Sequence, residues 1–266
     1  LLSFAILLGD VVRGVFSEKR EPQAVSVGMR SAGADSLLQP EEAHLVKLFE
    51  KASRSVVFIT NTAVRRGFFF DTSKEVAQGS GSGFVWDKKG HVVTNYHVIA
   101  GAREIRVRLF DGQEYAAGLV GKDPLNDIAV IKINAPATSL IPIQLGDSSN
   151  LRVGQKIHAI GNPFGLERTY TVGIISSLNR TLPASNYRTL KSIIQVDAAL
   201  NQGNSGGPLL NSQAKLVGMN MAIASRVGEN SGVGFAIPVN TIKRVVPQLI
   251  QSGKVVRADI GITRVY

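Results

Sequence analysis

Cysteine is absent from the 266-residue chain, which excludes a disulfide framework, a thiol nucleophile, a thiolate zinc site and an iron–sulfur cluster. No His-Glu-x-x-His or clustered ligand pattern occurs, so no metal is expected. No Walker loop occurs either, so any hydrolysis runs without ATP, and no cofactor is expected. The glycines at 79, 81 and 83 lead into strand-like Phe84-Val85-Trp86, not into a helix, and so do not form a dinucleotide fingerprint. Heptads and a three-residue glycine period are missing, which removes coiled coil and collagen. Aromatic residues are sparse, at 6%, and do not alternate with basic ones as a single-strand nucleic-acid binder requires.

What is present is an ordinary apolar fraction, 44%, enough for one large or two small cores. The net charge of +10 is uneven: residues 146–266 hold 13 basic and 5 acidic side chains. Arg152, Lys156, Arg168, Arg180, Arg188 and Lys191 are scattered along that half, so the excess reads as solubility or weak steering of acidic partners, with no nucleic-acid partner. The opening Leu-Leu-Ser-Phe-Ala-Ile-Leu-Leu is interrupted at Asp10, far short of the ~20 apolar residues of a membrane span. It reads either as the remnant of a signal or membrane anchor or as a short segment packed on the body. Residues 1–40 thus form an apolar segment and a Ser/Gly/Ala-rich tether.

A helix is predicted from Pro40-Glu41-Glu42, with proline and acids in its first turn and Leu45, Leu48, Phe49 and Ala52 on one face. Short β-branched runs bounded by turn signals follow: 55–61, 83–87, 91–95, 104–110, 113–120 and 128–133, then 156–160, 169–178, 193–196, 208–210, 216–222 and 234–237. Six strands, a connection around 136–150 and six more predict an all-β fold of two antiparallel barrels or sandwiches, about 41–135 and about 150–240. A C-terminal helix is predicted over Val239–Ser252, ended by Gly253 and weakened or kinked at Pro247.

The chemistry points to Asn201-Gln202-Gly203-Asn204-Ser205-Gly206-Gly207-Pro208. Glycines around a serine let several amides face one small space, as stabilising an oxyanion requires. A serine hydroxyl needs a base. Of four histidines, His97 in Thr94-Asn95-Tyr96-His97-Val98 lies just beyond a strand, whereas His44, His91 and His158 read as surface or packed residues. Asp127, before the apolar run Ile128-Ala129-Val130, suits a half-buried carboxylate that orients an imidazole, while Asp111 and Asp123 have turn roles.

The order His97, Asp127, Ser205, in Thr-Asn-Tyr-His-Val, Asn-Asp-Ile-Ala-Val and Gly-Asn-Ser-Gly-Gly-Pro-Leu, resembles the Deg/HtrA family of chymotrypsin-fold serine proteases over about 43–262. The resemblance implies two six-stranded barrels within a protease domain at 41–257. It implies an endopeptidase of protein quality control, with an oxyanion hole at Gly203, Asn204 and Ser205. Ala199, six before the nucleophile, would floor the primary pocket, with Leu200 and Ile223 as walls, so cleavage is expected after small or medium aliphatic residues. Asp197 is expected to be structural. Unfolded or damaged proteins would be the partners, together with further copies of the chain in a trimer or a multiple of trimers. The loop aromatics Phe68, Phe69 and Phe70 would supply an oligomer contact or fold back on their own barrel. Segments near 177–192 and 224–232 are expected to be flexible and to set the active fraction. Residues 258–266 resemble a tail or a truncated junction to a PDZ module, and the location is expected outside the cytoplasm, in a periplasm or plastid lumen. A holdase on the same fold, with its triad out of alignment, is the alternative.

Overall fold

The computed structural model describes residues 38–66, 73–162, 168–184, 188–221 and 232–257. The chain divides into the units Leu1–Ala43 and His44–Tyr266; of the first, only 38–43 are described, including the start of helix α1 (Pro40–Ser53). There the Glu42 carboxylate accepts the Gln39 amide at 2.8 Å, satisfying one of the donors that a helix start leaves unpaired.

The second unit holds two closed barrels. Strands β1 (Val56–Arg66), β2 (Ser73–Val85), β3 (His91–Thr94), β4 (Glu104–Arg108), β5 (Glu114–Asp123) and β6 (Ile128–Ile133) close in the order β1-β2-β3-β6-β5-β4. Strands β7 (Lys156–Gly161), β8 (Thr169–Ala184), β9 (Arg188–Val196), β10 (Pro208–Leu210), β11 (Leu216–Met221) and β12 (Gly234–Pro238) close in the order β10-β11-β12-β9-β8-β7. All these pairings are antiparallel. Helix α2 (Tyr96–Ile99) follows β3, and α3 (Val239–Ser252) follows β12.

Alternation along the strands explains why three cores form and not two. On β6, Ala129, Ile131 and Ile133 fill barrel one, while Ile128 and Val130 point the other way. On β10, Leu209 fills barrel two and Leu210 faces out. The outward set meets Phe84, Val93, Met219 and Ile237, capped by Leu48 and Ala52 of α1 and by Ile242, Val245, Val246 and Leu249 of α3. A strand buried on both faces loses the polar half of its pattern, which is why Ile128–Ile131 of β6 and all of β10 read as continuous apolar runs.

One element differs from its sequence reading. The glycine-rich stretch before Phe84 lies within β2 instead of preceding a strand. A side chain at 83 would meet Ile59 and the Val93 carbonyl, and one at 81 would meet Val98, so glycine here serves close approach. Strands β8 and β9 pair across the described part of 177–192 as a long hairpin with register shifts between Ile175 and Leu182. Residues 185–187 lie outside the described set, as do 222–231, which cover nearly all of the segment near 224–232. Helix α3 passes through Pro247 without a break, because Val245, Val246 and Leu249 are buried around it; Gly253, at φ 73, ends it by donating to Leu249 O at 2.9 Å.

Under α1, His158 of β7 is fully buried and accepts the Tyr170 hydroxyl at Nδ1, 2.8 Å away. Burial, with the charges of Lys156 and His44 behind it, holds His158 down to about 4. Burial also pushes Tyr170 up to about 12. The unfolded chain binds this proton below about pH 6.5 and the folded chain only below about 4, so stability is whole above 6.5 and declines between the two. The full loss is ~3 kcal/mol. Urea unfolding from pH 7 to 4 should show that decline, and His158→Phe should flatten it.

Candidate active site

The histidine is placed by a short helix and the carboxylate by a strained turn. Asp127 sits at φ 53, a left-handed conformation that aspartate tolerates better than most side chains. Four hydrogen bonds hold it there. Its carbonyl accepts the Tyr96 amide and the Asn95 side chain, both at 3.1 Å. Its carboxylate accepts the His97 amide at 2.9 Å through Oδ1 and the His97 ring nitrogen Nδ1 at 2.7 Å through Oδ2. A carboxylate only accepts, so Nδ1 carries the proton and Nε2 is left as a base. The imidazole is 47% exposed, against 12% for Asp127. Asn61, whose side chain donates to the Val98 carbonyl at 2.5 Å, anchors the far end of α2.

The turn itself is tied down from the C-terminal end of the described chain. Asp123, with no side-chain exposure, accepts both the Leu125 amide and the Asn126 side chain. Arg257 Nη2 closes on its two oxygens at 2.7 and 2.6 Å. Sequence reading gave Asp123 a turn role but missed Arg257, because no local pattern links positions 134 residues apart.

Ser205 is brought to this place by β2. The Ser82 amide donates to the Ser205 carbonyl at 2.8 Å. A Cβ built on Gly81 would touch both that carbonyl and the side chain of Val98, neighbour of His97, so the helix and the loop close on the same glycine. Gly206, at φ 84, lies so close to Ser82 and Thr94 that no side chain fits. Upstream, the Asn204 amide donates to Asn201 O at 3.0 Å, and Gly203 has φ 96. Among non-glycine residues Gln202 is not in the positive-φ region, so 201–204 is a type II turn, whose central peptide carries the Gly203 N–H reversed relative to a type I turn. Of the three expected oxyanion donors, Asn204 is therefore corrected: its amide closes the turn, and its side chain reaches the Ala199 carbonyl at 3.5 Å. Gly203 and Ser205 flank it.

Ala199 is half-buried, its carbonyl also accepting Thr171 Oγ1 at 3.2 Å. Leu200 is buried against Gly234. Asp197 accepts the Ile174 amide at 2.6 Å, a structural bond. Ile223 and Phe68, Phe69 and Phe70 lie outside the described residues. His91 forms a second histidine–carboxylate pair, Nδ1 to Asp87 Oδ2 at 2.7 Å, but its side chain is only 8% exposed. Burial opposes ionisation of Asp87, yet the His91 ring, the His91 and Lys89 amides and the ring's charge outweigh it and lower its pKa. Among the described residues no three His, Asp or Glu side chains gather as metal ligands.

The model of the trypsin-like peptidase domain matches residues 81–219, a span that runs from the β2 glycines through His97, Asp127 and Ser205 into β11. Protease Do-like 5, chloroplastic, of Arabidopsis thaliana is 45% identical over 80% of this chain and 71% of its own length. The chain belongs to the Deg/HtrA family of serine proteases. Among its Deg/HtrA relatives, protease Do-like 1, chloroplastic, of Arabidopsis is 54% identical over 85% of this chain, and periplasmic serine endoprotease DegP of Escherichia coli is 50% identical over 68%. The chain spans about half of the former's length and 38% of the latter's. Among solved structures, Deg5 superposes with a TM-score of 0.67 and 42% identity, covering 82% of this chain and all of that one. The HtrA-type protease AlgW with a decapeptide superposes with 0.70 and 35%, covering 81% and 70%.

In the Asp123–Arg257 pair the carboxylate has no exposure although the guanidinium is 41% exposed, whereas in Arg106–Glu114 and Arg108–Glu114 both partners face solvent. Removing one partner of a buried pair costs ~3 kcal/mol or more, and of a surface pair under ~1. Arg257→Ala should lower stability by ~2–4 kcal/mol in urea unfolding. Glu114→Ala should change it by less than ~1 kcal/mol.

Proposed function

We propose that this chain is an ATP-independent serine endopeptidase of protein quality control, acting on unfolded or damaged proteins. The observation that carries the reading is the His97–Asp127 pair: ring and backbone N–H of one residue are taken by one carboxylate at 2.7 and 2.9 Å, with the ring half exposed. In this reading Ser205 Oγ attacks the peptide carbonyl while His97 Nε2 takes its proton. The Gly203 and Ser205 amides receive the oxyanion, and His97 then protonates the leaving amine. Asp127 keeps the imidazole in one tautomer and stabilises its charged form.

Cleavage after Val, Ala or Leu is supported by the absence of charge at Ala199 and by the packing of Leu200 across Gly234; Ile223 is assigned the facing wall by family resemblance. Assembly into trimers or a multiple of trimers, with Phe68–Phe70 as one candidate contact, rests on that resemblance as well. A site outside the cytoplasm, in a periplasm or plastid lumen, is supported by relatives named chloroplastic and periplasmic. Among the described residues no helix is long and apolar enough to cross a membrane.

Digestion of an unfolded and a folded protein by wild type and Ser205→Ala tests the reading. Wild type should degrade the unfolded substrate, and Ser205→Ala should lose up to ~10⁶-fold in kcat. A fluorophosphonate should label Ser205; failure to label under every condition would favour the holdase. Peptide profiling should favour aliphatic residues over Lys or Arg at the cleaved position by at least ~10-fold. A preference for basic residues would remove the pocket assignment.

A further inference from the structure

Every polar atom of Ser82 is engaged, although the residue is fully buried and belongs to a strand of barrel one, not to the loop that carries Ser205. Its amide donates to Ser205 O at 2.8 Å, and its carbonyl accepts Thr94 Oγ1 at 2.7 Å. Its hydroxyl donates to Gly203 O at 2.7 Å and accepts the Asn162 amide, also at 2.7 Å. A hydroxyl with one proton and lone pairs to receive another donor is thus saturated across the junction of the barrels.

The bond to Gly203 O matters because of which peptide unit it holds. Gly203 C=O and Asn204 N–H belong to one rigid plane. Ser82 Oγ holds its oxygen, and Asn201 O holds its hydrogen. The planes on either side carry the Gly203 N–H and the Ser205 N–H. The later plane is fixed in turn, since Asn204 O accepts the Gly207 amide at 3.0 Å. On the earlier side no hydrogen bond holds the Gln202–Gly203 peptide among the described residues, and glycine at 203 has no side chain to restrain φ. The carbonyl held by Ser82 fixes the plane that follows Gly203 and, with the Asn204–Asn201 bond that closes the turn, sets the frame from which the Gly203 amide projects.

We infer that Ser82 is a positioning residue for the oxyanion hole: its hydroxyl, anchored by the Asn162 amide, clamps the Gly203–Asn204 peptide and so sets the two flanking donors. It touches no reacting atom and acts through Gly203. The inference rests on the peptidase reading of this site. It goes further in naming a residue of the first barrel as what shapes the second barrel's donor pair.

The test compares wild type, Ser82→Ala and Ser82→Cys in the full chain. Wild-type turnover of a peptide ester, and its loss in Ser205→Ala, establishes the chemistry first. Ser82→Ala should then lower kcat by about 10- to 100-fold, somewhat less than outright removal of an oxyanion donor. KM should stay within about threefold, and the acid limb of the pH profile should not move, because His97 and Asp127 are held separately. Affinity for a peptide boronate, which forms a tetrahedral adduct, should fall in parallel with kcat/KM, while affinity for the product peptide should not. Ser82→Cys keeps a weak donor at similar volume and should lie between the two, carrying the comparison if Ser82→Ala does not fold. An unchanged kcat in a folded variant, a shifted acid limb, or equal weakening of boronate and product would overturn the inference. A wild type inert to both ester and boronate would instead overturn the peptidase reading, and the inference with it.

Discussion

The hydrogen bond from the Ser82 amide to the Ser205 carbonyl fastens the nucleophile loop of one barrel to a strand of the other, and it depends on how closely two backbones can approach. Strand β2 presents glycines at 81 and 83 on either side of Ser82, and the loop presents Gly206 and Gly207 in return. A methyl group at 206 would overlap Ser82 and Thr94, and one at 207 would overlap the Ile160 carbonyl. These glycines carry the entropic cost that the residue always brings, roughly 0.5–1 kcal/mol each relative to alanine in a strand or helix. Hydrogen bonds that cross between barrels offset it, and no larger residue could make them at this distance.

Such a seam would be useless if the barrels could rock against each other, and the core between them prevents this. Phe84, Val93 and Ile128 from barrel one meet Leu210, Met219 and Ile237 from barrel two, and α3 covers both with Ile242, Val245 and Leu249. The N-terminal end of α3 is tied to the inter-barrel connection as well: Asn240 donates to Asp147 at 2.8 Å, and Lys243 donates to the Gly146 carbonyl. Asp147 is held down to about 2 by the Ser149 amide and by Asn240, so this tie persists across the pH range in which a histidine base works. Hydrophobic burial thus sets where the barrels sit, and a few short polar contacts set how the site is aimed.

Local sequence revealed what depends on local pattern. The strands of barrel one, the helix at 239–252 and the order of His97, Asp127 and Ser205 follow from alternation, turn residues and motif spacing. Local pattern misled where tertiary contact decides. Glycines 79–83 read as leading into a strand and not as part of one because propensity counts glycine as a breaker, yet packed neighbours make glycine the residue that fits the strand here. At Pro247 the local rule weighs one lost hydrogen bond, and the helix continues through it because its apolar face is packed. Asn204 looked like a donor to substrate because a glycine-rich turn offers several amides, and only the folded turn shows which of them is already bound. Ser82, Asn61 and Arg257 left no trace of their roles in the chain, since their partners are 121, 37 and 134 residues away.

The two histidine–carboxylate pairs show why chemistry cannot be assigned from pairing alone. His91 and His97 each bring Nδ1 to a carboxylate oxygen at 2.7 Å, and each also donates its own amide to the same carboxylate. At Asp87 and His91 the residues are four apart, at the turn into β3, and the ring is almost wholly covered. The pair there closes a turn. Asp127 and His97 are thirty positions apart, so the bond can form only once β3 and β6 have paired, and the ring it orients is half open. A buried imidazole has no room to exchange a proton with a substrate, whereas an oriented and accessible one does. Accessibility is decided by α2, a single helical turn that lifts His97 off the end of β3 after four consecutive buried residues. The same pair of functional groups is therefore a staple on one side of that strand and an oriented, accessible imidazole on the other, and the difference lies in where the backbone leaves the sheet.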